Sequence, residues 1–434
     1  MMKNRIFIFE FVSGGGFNKV KIPITLFCEG YGMLRSIIMD FKSLNFEIST
    51  MLDYRIFHLS NFLLVDELSI IRNLDNFLKK FKTEVKESEY TFIIAPESSN
   101  ILYKLTKIVK KSNRILLSTN LEGIRVGMSK FNTYYFFKGN KTTTPKTYLI
   151  PMRKKQLNID FILQKFNILK KPIVIKPEDG VGAESIYYFE TQYQIKHFFQ
   201  DFKHKVEYGR KYIIQEFVEG KDLSASLIGL PYIMDSQYKN PLLLSINAQN
   251  VDIKNSNYDS EYYGGHTPVE DYQKTKNNLS LLLEKINFSE FSGYFGIDFI
   301  RTTDSKIYFI EINPRLTTSY IGLRNVINLN PAKLILDSKL NRLKYCEVKS
   351  IYHSLFSRIE MDYNEKINNK EISEELSHKT VRKIPEFVTP PLSLNNSNHF
   401  TCFIATKSKN LSESKERMLE IKRMLKSLGF ENIK

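Results

Sequence analysis

The sequence predicts an α/β protein, α+β overall, that is built from more than one domain. Its 434 residues are too many for one compact core, which indicates two or three domains or lobes. Over about the first 125 residues, short apolar runs alternate with stretches whose apolar residues recur at helical spacing. This alternation is typical of an open, mostly parallel sheet covered by helices. The later part of the chain is richer in strands.

The first part of the chain contains four predicted strands and three predicted helices. Apolar and β-branched residues predict strands at "RIFIFEFV", "FEISTMLDYR", "YTFIIAPE" and "RILLS". Helical spacing predicts helices at "EGYGMLRSIIMDFKSL", "IIRNLDNFLKKFK" and "SSNILYKLTKIVKKS". Ser98 or Ser99 is the expected N-cap of the third helix.

The second part begins with a turn and a strand at "NKTTTPKTYLI", and several more strands follow. They are predicted at "KPIVIKPEDGVGAESIYYF", "KYIIQEFVEGKDLSASLIG" and "PLLLSINAQNV", and a helix at "TKNNLSLLLEKINF" comes next. The turn "TTDS" joins "GYFGIDFIRT" and "KIYFIEINPR" as a hairpin. Near the end, "VTPPLSLNNSN" reads as a turn, "HFTCFIAT" as a strand and "SESKERMLEIKRMLKSLG" as a helix.

Composition narrows the classes of function. The net charge of +16 fits a nucleic-acid partner or anionic substrates such as ATP, but no long basic block accompanies it, so we expect no nucleic-acid binding. Cys28, Cys346 and Cys402 are scattered, which argues against a disulfide framework and a zinc site. No apolar run approaches the roughly 18 residues that a membrane span needs, and the N-terminus lacks the pattern of a signal peptide. We expect a cytoplasmic protein without a membrane partner.

The predicted hairpin carries a candidate metal site. Asp298 lies on its first strand, and Glu311 and Asn313 lie two apart on its second strand, so they face one side. Two carboxylates and an amide oxygen are hard ligands that suit Mg²⁺ held together with substrate phosphates. Arg315 lies on the same side if the strand continues, where a guanidinium can hold a transferring phosphate or a developing oxyanion. The alternative is a hairpin with scattered charges on its solvent face.

Two further segments have features of a nucleotide site. In "PIVIKPEDGVGAESI", Lys176 ends an apolar strand beside a turn with Gly180 and Gly182, where lysine and backbone N–H groups can hold phosphates. In "YIIQEFVEGKDLSAS", Asp222 follows a turn and can accept hydrogen bonds from a ribose. The alternatives are a solvent lysine before a β-turn and a simple hairpin.

The order of these three segments resembles the ATP-grasp fold. The resemblance covers roughly residues 1–335 and is most specific at "QEFVEGKD" and "GID…EINPR". It implies an N-terminal open parallel domain over residues 1–128 and an ATP-grasp module over 129–335, with lobes at about 129–214 and 215–335. A small α+β extension then covers 336–434. ATP-grasp ligases activate a carboxylate with ATP and pass the acyl group to an amine, so ATP and Mg²⁺ are the implied cofactors, with Mn²⁺ as an alternative metal.

The resemblance also implies roles for single residues. Lys176 and, in "GMSKFNTYYFFK", Lys130 would contact phosphates, while Gln215 would lie near the adenine amino group. Backbone groups of Glu216 and Val218 would contact the adenine. Asp222 matches the ribose contact of the family, and its magnesium ligands are matched by Asp298, Glu311 and Asn313. Arg315 matches the arginine of the E-x-N-P-R variant. Some members of the family carry an arginine two residues before the metal aspartate, and that position is Gly296 here.

Within ATP-grasp, "EINPRLTTSYIGLR", the N-terminal "FEFVSGGG…EGYGMLRSIIMDF", "IIAPES" and "YYGGHTP" are similar to the tyramine–L-glutamate ligase group of methanofuran biosynthesis. This similarity implies an amide between the γ-carboxylate of glutamate and tyramine. Another amino-acid ligase is the alternative within the fold. A non-catalytic nucleotide-binding protein and a nucleic-acid binder are the alternatives outside it. A homodimer and the role of residues 336–434 stay open.

Several residues are candidates for the substrate side of the site. "FVSGGGF" does not fit G-x-G-x-x-G, but Ser13, Gly14 and Gly15 end the first strand at the sheet edge where such sheets bind ligands. We interpret them as a loop facing the acceptor substrate, with a plain tight turn as the alternative.

Three more candidates lie later in the chain. His266, in a glycine-rich segment interpreted as a substrate lid, is a candidate base, with a surface-loop histidine as the alternative. Tyr320 and Arg324 are candidates for the pocket lining, and Arg324 is a candidate partner for a substrate carboxylate. Ordinary core and helix-surface roles are the alternatives for both.

Overall fold

The computed structural model describes residues 4–180, 185–201, 205–230, 240–253, 260–344, 346–364, 370–394 and 398–434. Its architecture is the predicted mixture of α/β and antiparallel β structure. None of the helices within these ranges combines the length and hydrophobicity needed to cross a membrane.

The N-terminal part is a parallel sheet covered by helices, as the sequence predicted. Among the described strands the order is β3-β2-β1-β4-β5, and each neighbouring pair is parallel. The strands are β1 (Arg5–Glu10), β2 (Glu47–Asp53), β3 (Glu67–Ile71), β4 (Tyr90–Ile94) and β5 (Ile115–Leu116), and the helices are α1 (Ile24–Lys42), α2 (Phe77–Glu87) and α3 (Ile101–Lys111). The carboxyl ends of β1 and β4 therefore lie at one edge, where parallel sheets bind ligands.

A small antiparallel sheet follows, with the order β10-β9-β11-β6 in the described residues. Helices α4 (Leu121–Gly127) and α5 (Lys130–Gly139) lead into it. Its elements are β6 (Thr147–Leu149), the ribbon of β7 (Met152–Arg153) and β8 (Gln156–Leu157), α6 (Ile159–Leu169), β9 (Ile173–Pro177), β10 (Tyr187–Phe189), α7 (Gln192–Asp201) and β11 (Tyr212–Glu216). Ile162, Phe198 and Ile214 belong to the separate apolar core of this lobe.

A large antiparallel sheet forms the rest of the described chain, in the order β16-β15-β12-β13-β14-β17-β19-β18, with β20 paired to β17. Its strands are β12 (Lys221–Gly229), β13 (Leu242–Asp252), β14 (Glu261–Thr267), β15 (Gly293–Arg301), β16 (Ile307–Asn313), β17 (Ser354–Tyr363), β18 (Phe387–Leu392), β19 (His399–Ala405) and β20 (Phe430–Glu431). Helices α8 (Tyr272–Leu283), α9 (Ser319–Val326), α10 (Pro331–Lys339), α11 (Lys370–Lys383) and α12 (Leu411–Ser427) complete the fold. Because β17 pairs with β14, the C-terminal strands continue the same sheet.

Two helix boundaries in the N-terminal part differ from the prediction. The stretch "IIRNLDNFLKKFK" is not one helix, because its first two residues end β3 and pair with β2. The helix α2 begins only after Asn76, whose side chain accepts a hydrogen bond from a backbone N–H of the first turn. Helix α3 begins at Ile101 rather than after a serine cap, because Ser99 and Asn100 have φ values of 53° and 58°, outside the helical region.

Two segments predicted as turn and loop are strands. "FVTPPL" forms β18, which is the edge strand of the large sheet, and an edge strand tolerates proline because one side of its backbone needs no partner. "YYGGHTP" lies in β14, between β13 and β17, so the lid interpretation was wrong. Its glycines have a packing reason, since a Cβ on Gly264 or Gly265 would collide with the carbonyl oxygen of Phe356 or Ala248. Strand β17 and helix α11 were not predicted.

A buried ionic cluster joins α1 to α9. The carboxylate of Asp40 accepts hydrogen bonds from Tyr320 Oη at 2.7 Å and from Arg324 Nη2 at 2.6 Å. Asn330 Nδ2 donates to the backbone carbonyl of Asp40 at 3.0 Å. The cluster thus connects the N-terminal domain to the segment that follows β16.

We predict that Asp40→Ala lowers the free energy of unfolding by about 3–5 kcal/mol, because it leaves the Arg324 guanidinium buried without its partner. Urea denaturation measures the change. As a matched control, Glu347→Gln breaks the exposed ion pair with Lys349 and should cost less than about 1 kcal/mol. Equal effects of the two substitutions would contradict a structural role for the cluster.

Candidate active site

One cavity lies where the N-terminal domain, the small sheet and the large sheet meet. Its wall includes nine of the predicted site residues: Lys130, Lys176, Gly180, Gln215, Asp222, Asp298, Glu311, Asn313 and Arg315. They come from α5, β9, β11, β12, β15 and β16 and from the segments just after β9 and β16. The fold therefore brings together residues that lie up to 185 positions apart.

The β15–β16 hairpin places its polar side chains as its sequence predicted. Asp298 lies directly opposite Glu311, and Asn313 lies opposite Gly296. Asn313 Nδ2 donates to Asp298 Oδ2 at 2.9 Å, and Gln249 Nε2 from β13 donates to Asp298 Oδ1 at 3.0 Å. The two carboxylates and the Asn313 amide therefore lie together in one polar group.

The two carboxylates have different protonation behaviour. Burial, and then the nearby charge of Glu311, raise the pKa of Asp298 to about 7. Burial also disfavours the charged form of Glu311, but Lys130 and Lys176 outweigh it and lower the pKa of Glu311 below its usual range. Near pH 7, Glu311 is therefore the carboxylate that stays ionised, and Asp298 is partly protonated unless more positive charge is near.

The donor set fits a magnesium ion that is shared with phosphates. Glu311 Oε2 is buried and accepts no hydrogen bond from the residues that the structure describes, although Lys130 Nζ lies 2.9 Å away. Within the same residues no group of three or more His, Cys, Asp and Glu side chains is arranged to hold a metal. Two carboxylates and one amide leave several positions of an octahedral ion for phosphate and water oxygens, as Mg²⁺ requires.

Two lysines face these carboxylates. Lys176 on β9 is buried, and this burial lowers its pKa to about 8. The nearby Glu311 opposes the decrease, and the like charge of Lys130 adds to it. Lys130 is the first residue of α5, after the N-cap Ser129, and its Nζ donates to the carbonyl of Gly180 at 2.5 Å. Gly180 thus lies beside both the lysines and the carboxylates. The other predicted glycine of this turn, Gly182, lies outside the described residues.

The segment between the two sheets contains the predicted nucleotide contacts. Gln215 is buried in the cavity wall and donates to Thr147 Oγ1 at 2.9 Å. Glu216 does not line the cavity; its carboxylate contacts Lys171 Nζ at 2.5 Å, and its backbone N–H is bonded to the carbonyl of Lys146. The N–H of Glu216 is therefore not available for the predicted contact with adenine.

Val218 and Asp222 follow in the same segment. Val218 borders an adjoining hollow, and its backbone N–H finds no acceptor among the described residues. Burial raises the pKa of Asp222 to about 6, although the nearby charge of Lys176 opposes this increase. This carboxylate lies in the cavity wall, on the same side as Lys176.

Arg315 follows the end of β16 and remains in the wall although Pro314 ends the strand. Its Nε donates to Glu97 Oε2 at 3.0 Å, and its Nη1 donates to the carbonyl of Leu316 at 3.1 Å. Glu97 comes from the N-terminal domain, three residues after β4, and is buried. Glu97 was not predicted as a site residue, although its position after the carboxyl end of a parallel strand was a usable signal.

The structure places three predicted substrate residues away from the cavity wall. Tyr320 and Arg324 bind Asp40, so the guanidinium already has an internal carboxylate. His266 lies within β14, opposite Ala248 and Leu355, and burial lowers the pKa of its ring. These three residues make contacts within the fold and do not line the cavity, so their substrate roles stay predictions.

The glycine turn after β1 borders the cavity through its neighbours. Ser13 donates through both N–H and Oγ to Glu10 Oε2, at 2.7 and 2.6 Å. A Cβ on Gly14 would collide with the Phe9 ring, and Gly15 has φ of 94° and packs on Ile71. Packing therefore accounts for these glycines, while Glu10 itself lines the cavity.

Other wall residues were not predicted. They come from the N-terminal domain, from β13 and from the segment around the start of α9, and include Glu10, Glu29, Gln249, Thr317 and Ser319. Each lies in an element whose sequence reads as ordinary core or surface. Tyr262 of β14 also lines the cavity, and it belongs to the glycine-rich segment that was predicted as a substrate lid. Only the packing of the domains brings them to the site.

Comparison with known proteins agrees with this geometry. A model of the ATP-grasp domain matches residues 128–319, and a model of the pre-ATP-grasp domain matches residues 46–124. Tyramine–L-glutamate ligase of Methanocaldococcus jannaschii is 28% identical over 356 residues, which cover 80% of this chain and 94% of that protein. The enzyme of the same name from Methanocaldococcus fervens is 28% identical over 343 residues, which cover 77% of this chain and 94% of that protein.

Solved structures show the same fold at low identity. A protein from Archaeoglobus fulgidus that is described as an ATP-grasp superfamily protein has a TM-score of 0.57 and 22% identity, with 93% of this chain and 99% of that chain covered. An L-amino acid ligase from Bacillus licheniformis has a TM-score of 0.64 and 12% identity, with 98% of each chain covered. A biotin carboxylase domain from Hydrogenobacter thermophilus, solved with ADP and magnesium, has a TM-score of 0.70 and 12% identity, with 100% of this chain and 92% of that chain covered.

These matches span the N-terminal domain and the module that contains the cavity. The predicted fold is confirmed, with its parallel N-terminal sheet and its two further sheets around one site. The chain therefore belongs to the ATP-grasp superfamily, and it is an enzyme of the carbon–nitrogen ligase class within it.

Proposed function

We propose that this enzyme joins the γ-carboxylate of glutamate to the amine of tyramine, with consumption of ATP and release of ADP and phosphate. The observation that carries the proposal is one cavity in which two lysines, two carboxylates and a buried arginine converge. A carboxylate resists attack by an amine because its charge must be lost, and phosphorylation turns one oxygen into a leaving group. The site has lysines for that transfer on one side and, on the other, a mostly apolar wall that contains the carboxylates of Glu10 and Glu29.

Lys130 and Lys176 are the proposed phosphate contacts. Both ammonium groups face the β15–β16 hairpin, and Lys130 already lies 2.9 Å from Glu311. A bound triphosphate would give each lysine an anionic partner in a buried setting, where such charge-assisted bonds are strong. The backbone of Glu216 and Val218, with Gln215 and Asp222, would bind the adenosine.

Asp298, Glu311 and Asn313 are the proposed holders of Mg²⁺, with Mn²⁺ as an alternative. The raised pKa of Asp298 supports this role, because this carboxylate lacks the positive charge that would balance it, and Glu311 Oε2 is buried without a hydrogen bond from the described residues. A magnesium ion bound there would neutralise charge on the terminal phosphates during transfer.

Arg315 is the proposed stabiliser of the oxyanion that forms when the amine attacks the acylphosphate. Glu97 holds the guanidinium through Nε, and Nη1 bonds to a backbone carbonyl, so its direction is fixed before substrate arrives. Such preorganised donors stabilise developing charge without reorganisation during the reaction. Gly296 in place of an arginine leaves Arg315 as the proposed cation for this task.

The substrate pair rests on similarity to the tyramine–L-glutamate ligases. This supports a place in methanofuran biosynthesis, where those enzymes act. The runner-up is a ligase for another acid and amine, since the L-amino acid ligase of Bacillus licheniformis has the same fold.

A direct assay tests the proposal. With ATP, Mg²⁺, glutamate and tyramine, we expect ADP and phosphate in equal amounts, and a product whose mass equals both substrates minus one water. Omission of either substrate should stop ADP release. Formation of AMP would contradict the acylphosphate route, and turnover with a different amine but not tyramine would favour the runner-up.

We predict that Glu311→Gln lowers kcat at least about 100-fold, because the ionised oxygen proposed to hold Mg²⁺ is lost. Steady-state ADP release measures it. Asp304→Asn is the matched control, since it alters an exposed aspartate in the turn of the same hairpin, and it should keep kcat within about twofold. Near-normal turnover of Glu311→Gln would remove this residue from the metal site.

We predict that affinity for ATP with Mg²⁺ falls as the pH rises above 8. The pKa of Lys176 is about 8, so its ammonium is charged below that pH and loses its charge above it. Because phosphate binding favours the charged form, the loss spreads over about pH 8–10 and should reach roughly tenfold. Calorimetric titration measures it, and Lys176→Met should bind more weakly but with little change over this range. A parallel decline in both proteins would contradict the assignment.

A further inference from the structure

The N-terminal domain supplies a distinct part of the cavity wall. Its side chains here are mostly apolar and comprise Val12, Leu26, Met33, Ile94, Ala95 and Pro96. Tyr262 of the large sheet also lines this cavity. Two carboxylates, Glu10 and Glu29, interrupt the apolar surface. A wall of this composition suits a ligand with an apolar body and one charged group.

Glu10 is not available to a ligand, because its oxygens are occupied internally. Oε1 accepts the backbone N–H of Val12 at 2.9 Å, and Oε2 accepts the N–H and Oγ of Ser13. A Cβ on Gly30 would collide with its carboxyl group, so the helix α1 also closes over it. Glu10 therefore holds the turn after β1.

Glu29 has a different environment. Oε2 accepts a hydrogen bond from Thr318 Oγ1 at 2.8 Å, while Oε1 accepts none from the residues that the structure describes. Arg358 Nη1 lies 3.8 Å from Oε1, which is beyond hydrogen-bond distance. The side chain is 15% exposed, so this oxygen has access to the cavity rather than being sealed in the core.

The surroundings of Glu29 favour a cationic ligand. Burial raises the pKa of its carboxyl, with Thr318, Arg358 and Arg315 opposing that effect. The guanidinium of Arg358 does not approach closely, since it also lies 3.3 Å from Glu360 and over the ring of Tyr263. One open carboxylate oxygen is too few for a metal ion, which needs several oxygen ligands. A primary ammonium group needs only such an acceptor.

We propose that Glu29 binds the primary ammonium group of a substrate and sets the preference of the enzyme for ammonium-bearing substrates. This inference rests on the proposed function, because both tyramine and glutamate carry such a group. Thr318, three residues after Arg315, fixes the carboxylate near the guanidinium proposed to hold the oxyanion. An apolar wall beside one open carboxylate fits the aromatic body and ammonium of tyramine, and the α-ammonium of glutamate has the same chemistry.

Calorimetric binding with paired ligands tests the proposal. Tyramine is compared with 4-ethylphenol, and glutamate with glutarate, since each second compound lacks only the ammonium group. The titrations use the full chain with Mg²⁺ and a non-hydrolysable ATP analogue. Glu29→Gln keeps an acceptor for Thr318 but removes the charge. Glu360→Gln removes a charge near the same arginine outside the cavity wall, and melting temperatures check that both variants are folded.

We expect Glu29→Gln to reduce the preference for the ammonium-bearing member of one pair by roughly 10- to 100-fold, and Glu360→Gln to leave it unchanged. Loss in the tyramine pair identifies the amine as the bound cation, and loss in the glutamate pair identifies the amino acid. Retention of both preferences in Glu29→Gln overturns the inference. A wild-type chain without any preference overturns it as well. If the preference of the wild-type chain depends on Glu29 but no product forms from tyramine and glutamate, the result counts against the proposed substrate pair alone.

Discussion

The site depends on a balance of buried charge between two lysines and two carboxylates. Lys130 and Lys176 lower the pKa of Glu311, while Glu311 supports the charge of Lys176 against burial. Asp298 is the member that this balance leaves short of positive charge, and its pKa rises to about 7. A set of ions that is almost neutral by itself can be buried at a tolerable cost. It can also accept a polyphosphate and a cation together, because their charges compensate each other.

Polar contacts across the domain boundary keep this site joined to the N-terminal domain. Arg315 binds Glu97, and Thr318 binds Glu29, so one segment after β16 makes both contacts. The Asp40 cluster adds a third connection at the start of α9. The segment that carries the arginine is therefore positioned from the N-terminal side, while the hairpin that carries the carboxylates is positioned by its own sheet.

Much of the fold and the phosphate side of the site could be predicted from local patterns. Asp298, Glu311 and Asn313 were found because a hairpin places alternating residues on one side, which is a local rule. Glu29 was missed because only domain packing brings it to the cavity, whereas Glu97, which binds the wall residue Arg315, was missed although it follows the carboxyl end of β4. Glycine-rich stretches are ambiguous for a related reason, since a close approach to a ligand and a close approach to the protein's own side chains give the same sequence. Edge-strand prolines likewise need the sheet order to be understood.

The division of the cavity wall has a consequence for how such an enzyme diversifies. The residues proposed to handle phosphates belong to α5 and to the small and large sheets, whereas a separate apolar part of the wall, which includes Leu26, Met33 and Ile94, belongs to α1 and β4. Substitutions such as a smaller residue at Leu26 or Met33 would reshape the space for an acceptor without touching the lysines or the hairpin. Acceptor choice and energy coupling can therefore change in separate steps of evolution, and a library confined to α1 is the natural starting point for redirecting this ligase.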